Sequence, residues 1–236
     1  DVYKRQLAEV ITRTPTLPSR ALSDVLGAPV VLKMENLQRT GSFKIRGSAY
    51  RLSQLSAEER SRGVVAASAG NHAQGVALAA QTLGIQATIF VPLGIPVPKL
   101  LATRSYGAEV VLEGETVATS LRLAAEFAER TGAVIIHPFD HRDVVIGQGT
   151  LGLELLEDAP DVDTIVLGIG GGGLIAGVAA AVKAKAAELG RSVRIIGVQA
   201  ENAAAMIPSL EAGYPVDIET KPTIADGILV ARPGAI

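Results

Sequence analysis

Two hydrophobic periodicities alternate along the chain. Residues 29–34, 63–67, 87–91, 109–112, 133–136, 164–167 and 194–198 are short, β-branched and nearly continuous in apolar character. That is how strands buried on both faces read. Between them, residues 42–55, 72–83, 98–106, 116–130, 150–157 and a run ending at Leu189 carry helical spacing. Gly84, Gly107 and Gly132 stand where helices stop, and Pro92 and Pro160 punctuate the chain. Strands alternating with helices predict an α/β protein with a mainly parallel sheet flanked by helices. Residues 63–136 read as one βαβαβαβ block. The segments on either side are expected to form a second sheet, giving two lobes with a cleft between them. The predicted division places residues 53–140 in a small domain and residues 1–52 and 141–236 in a discontinuous large one.

Composition narrows the function classes. The 236 residues are 48% hydrophobic and 19% charged, which excludes a disordered tail protein. A net charge of -2 gives no basic excess for a nucleic-acid backbone, and 3% aromatics offer no base-stacking platform. With no cysteine there is no disulfide scaffold, Cys-ligated zinc or iron–sulfur cluster, which fits a cytoplasmic setting. The longest small-and-apolar stretch, 168–182, is Gly-rich, ends at Lys183 and is too short to span a bilayer. The expected partner is a small molecule rather than nucleic acid or membrane. The opening has no signal-peptide pattern, both ends look cut, and the sequence reads as part of a longer protein.

In parallel sheets ligands bind beyond the carboxyl ends of strands, so the strand–turn–helix junctions are where chemistry is expected. The first is Leu167-Gly168-Ile169-Gly170-Gly171-Gly172-Gly173-Leu174. Four consecutive glycines before a helix let N–H groups converge on a phosphate without a cation. Gly168, Gly170 and Gly173 also satisfy G-x-G-x-x-G, with Glu201 after the next strand as a ribose-binding acid would stand. A dinucleotide-binding oxidoreductase domain is therefore an alternative, although the unit comes late in the chain. The second junction holds Ser68, Ala69, Gly70, Asn71 and His72. It can cap a helix, or hold a carboxylate. It also resembles a nucleophile elbow, but Ala66 replaces the expected Gly. A hydrolase would need an acid and then a histidine downstream, and past the turn only His137 and His141 follow, both before Gly168. The third carries Gly41-Ser42-Phe43-Lys44-Ile45-Arg46-Gly47. Ser42 as N-cap places Lys44 in the first helical turn, where the helix dipole opposes a cation and favours the neutral amine. A neutral amine is what a Schiff-base lysine needs.

Together these three junctions fit pyridoxal 5'-phosphate, with the glycines holding the phosphate, Lys44 binding the aldehyde carbon and the Ser68 turn holding an amino-acid carboxylate. The three motifs, with Arg13-Thr14-Pro15, His137-Pro138-Phe139-Asp140, Gly147-Gln148-Gly149-Thr150 and Ala225-Asp226-Gly227, resemble the threonine/serine dehydratase (threonine ammonia-lyase) group. That group belongs to the fold-type II, tryptophan-synthase-β-like superfamily of pyridoxal phosphate enzymes. The resemblance implies a two-lobed fold-type II enzyme, truncated here at the C-terminus. It implies that Lys44 is the Schiff-base lysine and carries the proton at Cα. Phe43 would lie near the cofactor ring, Asn71 on its oxygen, and Gly170, Gly171, Gly172, Gly173 and Leu174 on its phosphate. Ser68, Ala69, Asn71 and His72 would take the substrate carboxylate. The implied reaction is β-elimination of water from L-threonine or L-serine, giving 2-oxobutanoate or pyruvate plus ammonia. A homo-oligomer in amino-acid metabolism, in isoleucine biosynthesis or threonine catabolism, is implied as well.

Two departures bear on the alternatives of racemisation and β-replacement. Serine racemases of the superfamily carry a second serine where this chain has Ala69, and alanine cannot serve as the opposite-face acid. Related racemases bind a divalent cation near Glu201 and Ala205, but Ile207 stands where an aspartate ligand is expected, so no metal is expected here. Relatives continue beyond the Ala225-Asp226-Gly227 segment, where their partner for the pyridine nitrogen lies, so an inactive fragment is a further alternative. Pro138 makes a zinc pair of His137 and His141 improbable, and Asp140 and Asp143 read as capping or turn residues.

Overall fold

The computed structural model describes residues 6–236. Its centre is a four-stranded, all-parallel sheet. The strands are β3 (Val64–Ala67), β4 (Ala87–Val91), β5 (Glu109–Leu112) and β6 (Val134–Ile135), in the order β5-β4-β3-β6. The crossovers are α4 (Asn71–Leu83), α5 (Val97–Ser105) and α6 (Val117–Thr131). Every residue of β3 and β4 is buried, as their unbroken apolar runs require. Val64, Ala66, Ile89 and Val91 pack with Val76, Ala77 and Ala80 of α4, while Val65, Ala67 and Phe90 face Ala124 of α6. The order reverses between β3 and β6. That gap is a topological switch point, and its carboxyl edge is where such sheets bind ligands.

The remainder is built around helices. These are α2 (Lys44–Ser53), α7 (Arg142–Asp158) and α8 (Gly173–Glu188), with the parallel pair β7 (Thr164–Gly168) and β8 (Arg194–Val198). Leu151, Leu155, Ile165, Val178 and Val182 form their core. β1 (Thr16–Pro18) and β2 (Val31–Lys33) make a separate antiparallel pair around α1 (Arg20–Leu26). The flanking segments thus give two two-stranded sheets rather than one. α1, β1, α3 (Ala57–Arg62) and α9 (Met206–Ala212) were not expected from the pattern. α3 is nevertheless signed by a reciprocal Ser56–Glu59 capping box.

α7 begins eight residues earlier than the expected start at Thr150. Gly147, Gly149 and Gly152 mimic a loop in sequence, but they are there for close helix packing. A Cβ at Gly147 would lie 2.5 Å from the Arg46 carbonyl oxygen, and one at Gly149 would lie 2.8 Å from that of Gly177. At Gly177 a Cβ would meet the Val145 carbonyl oxygen at 2.2 Å. Helix backbones touch here, and only glycine permits it.

α2 packs against both α4 and α7. Ile45, Ala49 and Leu52 belong to the sheet's core, and the fully buried Arg46 faces the other way. Its Nε and Nη2 donate to Glu35 at 2.8 Å each, and its Nη1 and Nη2 to Glu154 at 2.8 and 3.0 Å. Lys33 Nζ pairs with Glu154 at 2.8 Å and Asp158 at 2.9 Å, and Arg13 adds its guanidinium to Asp158 and Glu157. Burial alone would raise the Glu154 carboxyl, but Arg46 and Lys33 hold it below the usual carboxylate range. Burial likewise opposes ionisation of Asp158, and hydrogen bonds from Arg13, Thr16 and Lys33 override it.

Glu154→Ala leaves a buried guanidinium and Lys33 short of a partner, and is expected to cost about 3–5 kcal/mol in a denaturant titration. A loss within the range of surface substitutions would refute the clamp. The pH sign follows from depressed carboxyl pKa values. The stabilisation by Glu154 and Asp158 is fully present above their unfolded pKa values and lost as pH falls through the folded ones.

Candidate active site at the switch point

The carboxyl ends of β3 and β6, the start of α2 and the glycine loop after β7 converge on one amine. Thr40 and Gly41, both left-handed at φ 68° and 70°, turn the chain into α2. Ser42 is extended, and its Oγ accepts the Lys44 N–H at 3.4 Å, but the N-cap position is held by Phe43, one residue later than expected, and no side chain caps the helix. Lys44 lies in the first turn, and its Nζ donates to the Pro138 carbonyl, just beyond β6, at 2.9 Å. Nζ also stands 5.4 Å from the centroid of the Phe43 ring. Burial pulls the Lys44 pKa down from 10.5 to about 8. The dipole argued from sequence points the same way, but burial is the cause this structure displays.

The turn after β3 reaches the same place because Gly75 lets α4 approach α2. A Cβ there would lie 3.2 Å from the Lys44 carbonyl carbon and the Ile45 nitrogen. In the turn, Ser68 Oγ accepts the Gly70 N–H at 3.2 Å. Ala69 is half-buried, and Asn71 is exposed at the first position of α4. The His72 imidazole turns inward, with Nε2 2.8 Å from the Ile136 carbonyl oxygen. Burial, with Lys44 nearby, lowers its pKa to about 3, so the ring is neutral and Nε2–H is the donor. With Nε2–H committed to Ile136, the donor His72 offers the turn is its backbone N–H.

The segment 137–140 links the amine to the glycine loop. His137 Nδ1 accepts the N–H groups of Asp140 at 2.8 Å and Phe139 at 3.3 Å. The Phe139 ring fills the space where Gly171 lacks a side chain, since a Cβ there would lie 2.3 Å from a ring carbon. The Phe139 carbonyl oxygen would be 2.7 Å from a Cβ on Gly173. Gly172 sits at φ 98°, which favours glycine. The first intrahelical bond of α8 runs from Ala176 N to Gly172 O. The N–H groups of Gly173, Leu174 and Ile175 therefore precede any intrahelical acceptor. Leu174 and Phe43 rest on the same core.

These residues fit pyridoxal 5'-phosphate. The loop offers backbone donors at a helix start, with no side chain to block approach of a phosphate. The amine is desolvated and half-neutral near pH 8, which suits attack on an aldehyde. The family of pyridoxal-phosphate dependent enzymes matches residues 7–236. The chain belongs to this family. Its similarity to the L-threonine ammonia-lyase of Thermotoga maritima is 53% identity over 98% of this chain and 57% of that one. The catabolic L-threonine dehydratase TdcB of Escherichia coli K12 is 46% identical over 98% of this chain and 69% of that one. Among solved structures, threonine deaminase isoform 2 of Solanum lycopersicum superposes with a TM-score of 0.93 at 42% identity, over 99% of this chain and 67% of that one. Maize serine racemase also reaches 0.93, at 37% identity, over 99% of this chain and 69% of that one. The chain thus spans little more than half the length of the first of these relatives.

Sequence reasoning used His137-Pro138-Phe139-Asp140 only as part of the family resemblance and gave this fourth strand end no place at the site. Residues 137–140 follow an expected strand, and the strand-end rule would have marked them. His137 and His141 act as backbone caps, the latter accepting the Asp143 N–H at 3.1 Å. Glu201 lies exposed in a 3-10 turn after β8 and Ile207 is exposed on α9. Among the described residues no group of three His, Cys, Asp or Glu could hold a metal ion, and no helix is long and apolar enough to cross a membrane.

Labelling of Lys44 by an amine-reactive reagent is expected to rise with pH about a midpoint near 8. Peptide mapping checks this against exposed lysines in the same sample. A midpoint at the ordinary 10.5 would show that the amine is solvated.

Proposed function

We propose that the chain carries the cofactor-binding and catalytic part of a threonine ammonia-lyase. It would eliminate water from L-threonine, and from L-serine, to give 2-oxobutanoate or pyruvate plus ammonia. The observation that carries this reading is the convergence of three junctions on the buried amine of Lys44. Similarity to threonine ammonia-lyases and dehydratases supports the substrate class.

When bound, pyridoxal phosphate supplies a conjugated ring that accepts the electron pair left at Cα. The chain's own residues do the rest. Lys44 would leave the Pro138 carbonyl to hold the cofactor through its aldehyde carbon, and its neutral amine, when free, would take the Cα proton. Gly170, Gly171, Gly172, Gly173 and Leu174 would hold the phosphate, and Phe43 and Asn71 would position the ring. The turn of Ser68, Ala69, Asn71 and His72 holds the substrate carboxylate, so that the Cα–H bond faces Lys44. Loss of the hydroxyl with a proton releases water, and hydrolysis of the resulting enamine releases ammonia.

Ala69 bears on the racemase reading. A second acid on the far face of Cα is needed for inversion, and a methyl side chain holds no proton. A division into a sheet lobe and an α7–α8 lobe is supported by their separate cores, although Ile45, Ala49 and Leu52 of α2 pack with the sheet, on the other side of the boundary expected at residue 53. A cytoplasmic homo-oligomer belongs to the same reading. It is supported by the lack of cysteine and by exposed apolar side chains such as Val25, Leu26 and Leu210.

Addition of pyridoxal phosphate is expected to produce a visible absorbance band that Lys44→Ala abolishes. L-threonine should then yield a 2-oxo acid. A band without turnover in the intact protein would overturn the lyase reading, and no band would overturn the cofactor. Tight nicotinamide-cofactor binding in its place would favour the dinucleotide alternative.

A further inference from the structure

We propose that Asp140 is a positioning residue for the phosphate cradle, acting through the backbone of residues 234–236. This rests on the reading of Gly170–Gly173 as the phosphate site. Asp140 Oδ1 accepts the N–H groups of Ala235 at 3.0 Å and Ile236 at 3.1 Å. One carboxylate oxygen thereby gathers two successive N–H groups. The preceding N–H, from Gly234, donates to the Gly171 carbonyl oxygen at 2.9 Å. Asp140 thus draws residues 234–236 across the glycine loop and fixes the direction of the Gly171 carbonyl.

That carbonyl decides which way the cradle faces. In a trans peptide the C=O and the following N–H point in opposite directions. With the Gly171 oxygen held by Gly234, the Gly172 N–H is aimed away from residues 234–236. Without this tie, a peptide between two glycines turns easily, and its oxygen would face an anion where an N–H should. The loop is also held by Phe139, the neighbour of Asp140, whose ring fills the space beside Gly171. Two consecutive residues therefore grip the loop, one through packing and one through residues 234–236. Gly234 is part of the device. A Cβ there would lie 2.6 Å from Asp140 Oδ1 and would displace the carboxylate.

The test compares the affinities of the intact protein for pyridoxal phosphate and for pyridoxal, which shares the aldehyde and lacks the phosphate. Asp140→Ala and Gly234→Ala are each expected to weaken pyridoxal phosphate by about tenfold, the scale of one lost charge-assisted hydrogen bond. Binding of pyridoxal should change little. Asp140→Asn retains an oxygen acceptor in the same place and is expected to restore the preference. If Asp140→Ala weakens both ligands equally, or neither, the positioning role is overturned. Failure of Asp140→Asn to restore the preference would also overturn it, since charge rather than geometry would then matter. Equal affinity of the unaltered protein for the two ligands would overturn the cradle reading itself, and the proposal with it.

Discussion

The buried guanidinium of Arg46 is the constraint on which the rest of the site depends. A charge in a dry interior is tolerated only when its donors are met, and Glu35 and Glu154 meet them from two different segments. Lys44 lies two residues earlier on the same helix, so the clamp that satisfies Arg46 also sets the height and rotation of the amine. Gln148 adds to this from α7, its Oε1 accepting the Gly47 N–H at 3.2 Å. Lys44 is thus placed by neighbours of Arg46 and Gly47 rather than by its own contacts alone.

Backbone atoms carry most of the polar work around that lysine. Its amine rests on a main-chain carbonyl, the histidines spend their ring nitrogens on main-chain groups, and the glycine loop presents N–H groups. Close approach of backbones at Gly75, Gly147 and Gly177 makes this arrangement reachable. The glycines around the site therefore divide between those that let helices touch and those that expose donors.

Much of this was legible in the sequence. The strand–helix alternation gave the parallel block, and Gly84 and Gly132 marked helix ends that the structure places in the left-handed conformation. The three junctions were visible because each couples a strand end to unusual residue types. The start of α7 was not, because Gly147 and Gly149 read as a loop until the partner helices are in place. Nor was the ion cluster, whose members at 13, 33, 35, 46, 154 and 158 are far apart in sequence and become neighbours only through folding. Asp140 read as a turn residue, since a partner nearly a hundred positions away leaves no local trace.

The double allegiance of α2 reaches beyond the site. Ile45, Ala49 and Leu52 complete the core under the four-stranded sheet, while Arg46 and Gly47 are engaged with α7. Neither half can lose its order without withdrawing support from this helix, and with it from the other half. The sheet and the α7–α8 core are thereby expected to unfold on heating in a single cooperative transition instead of two separate ones.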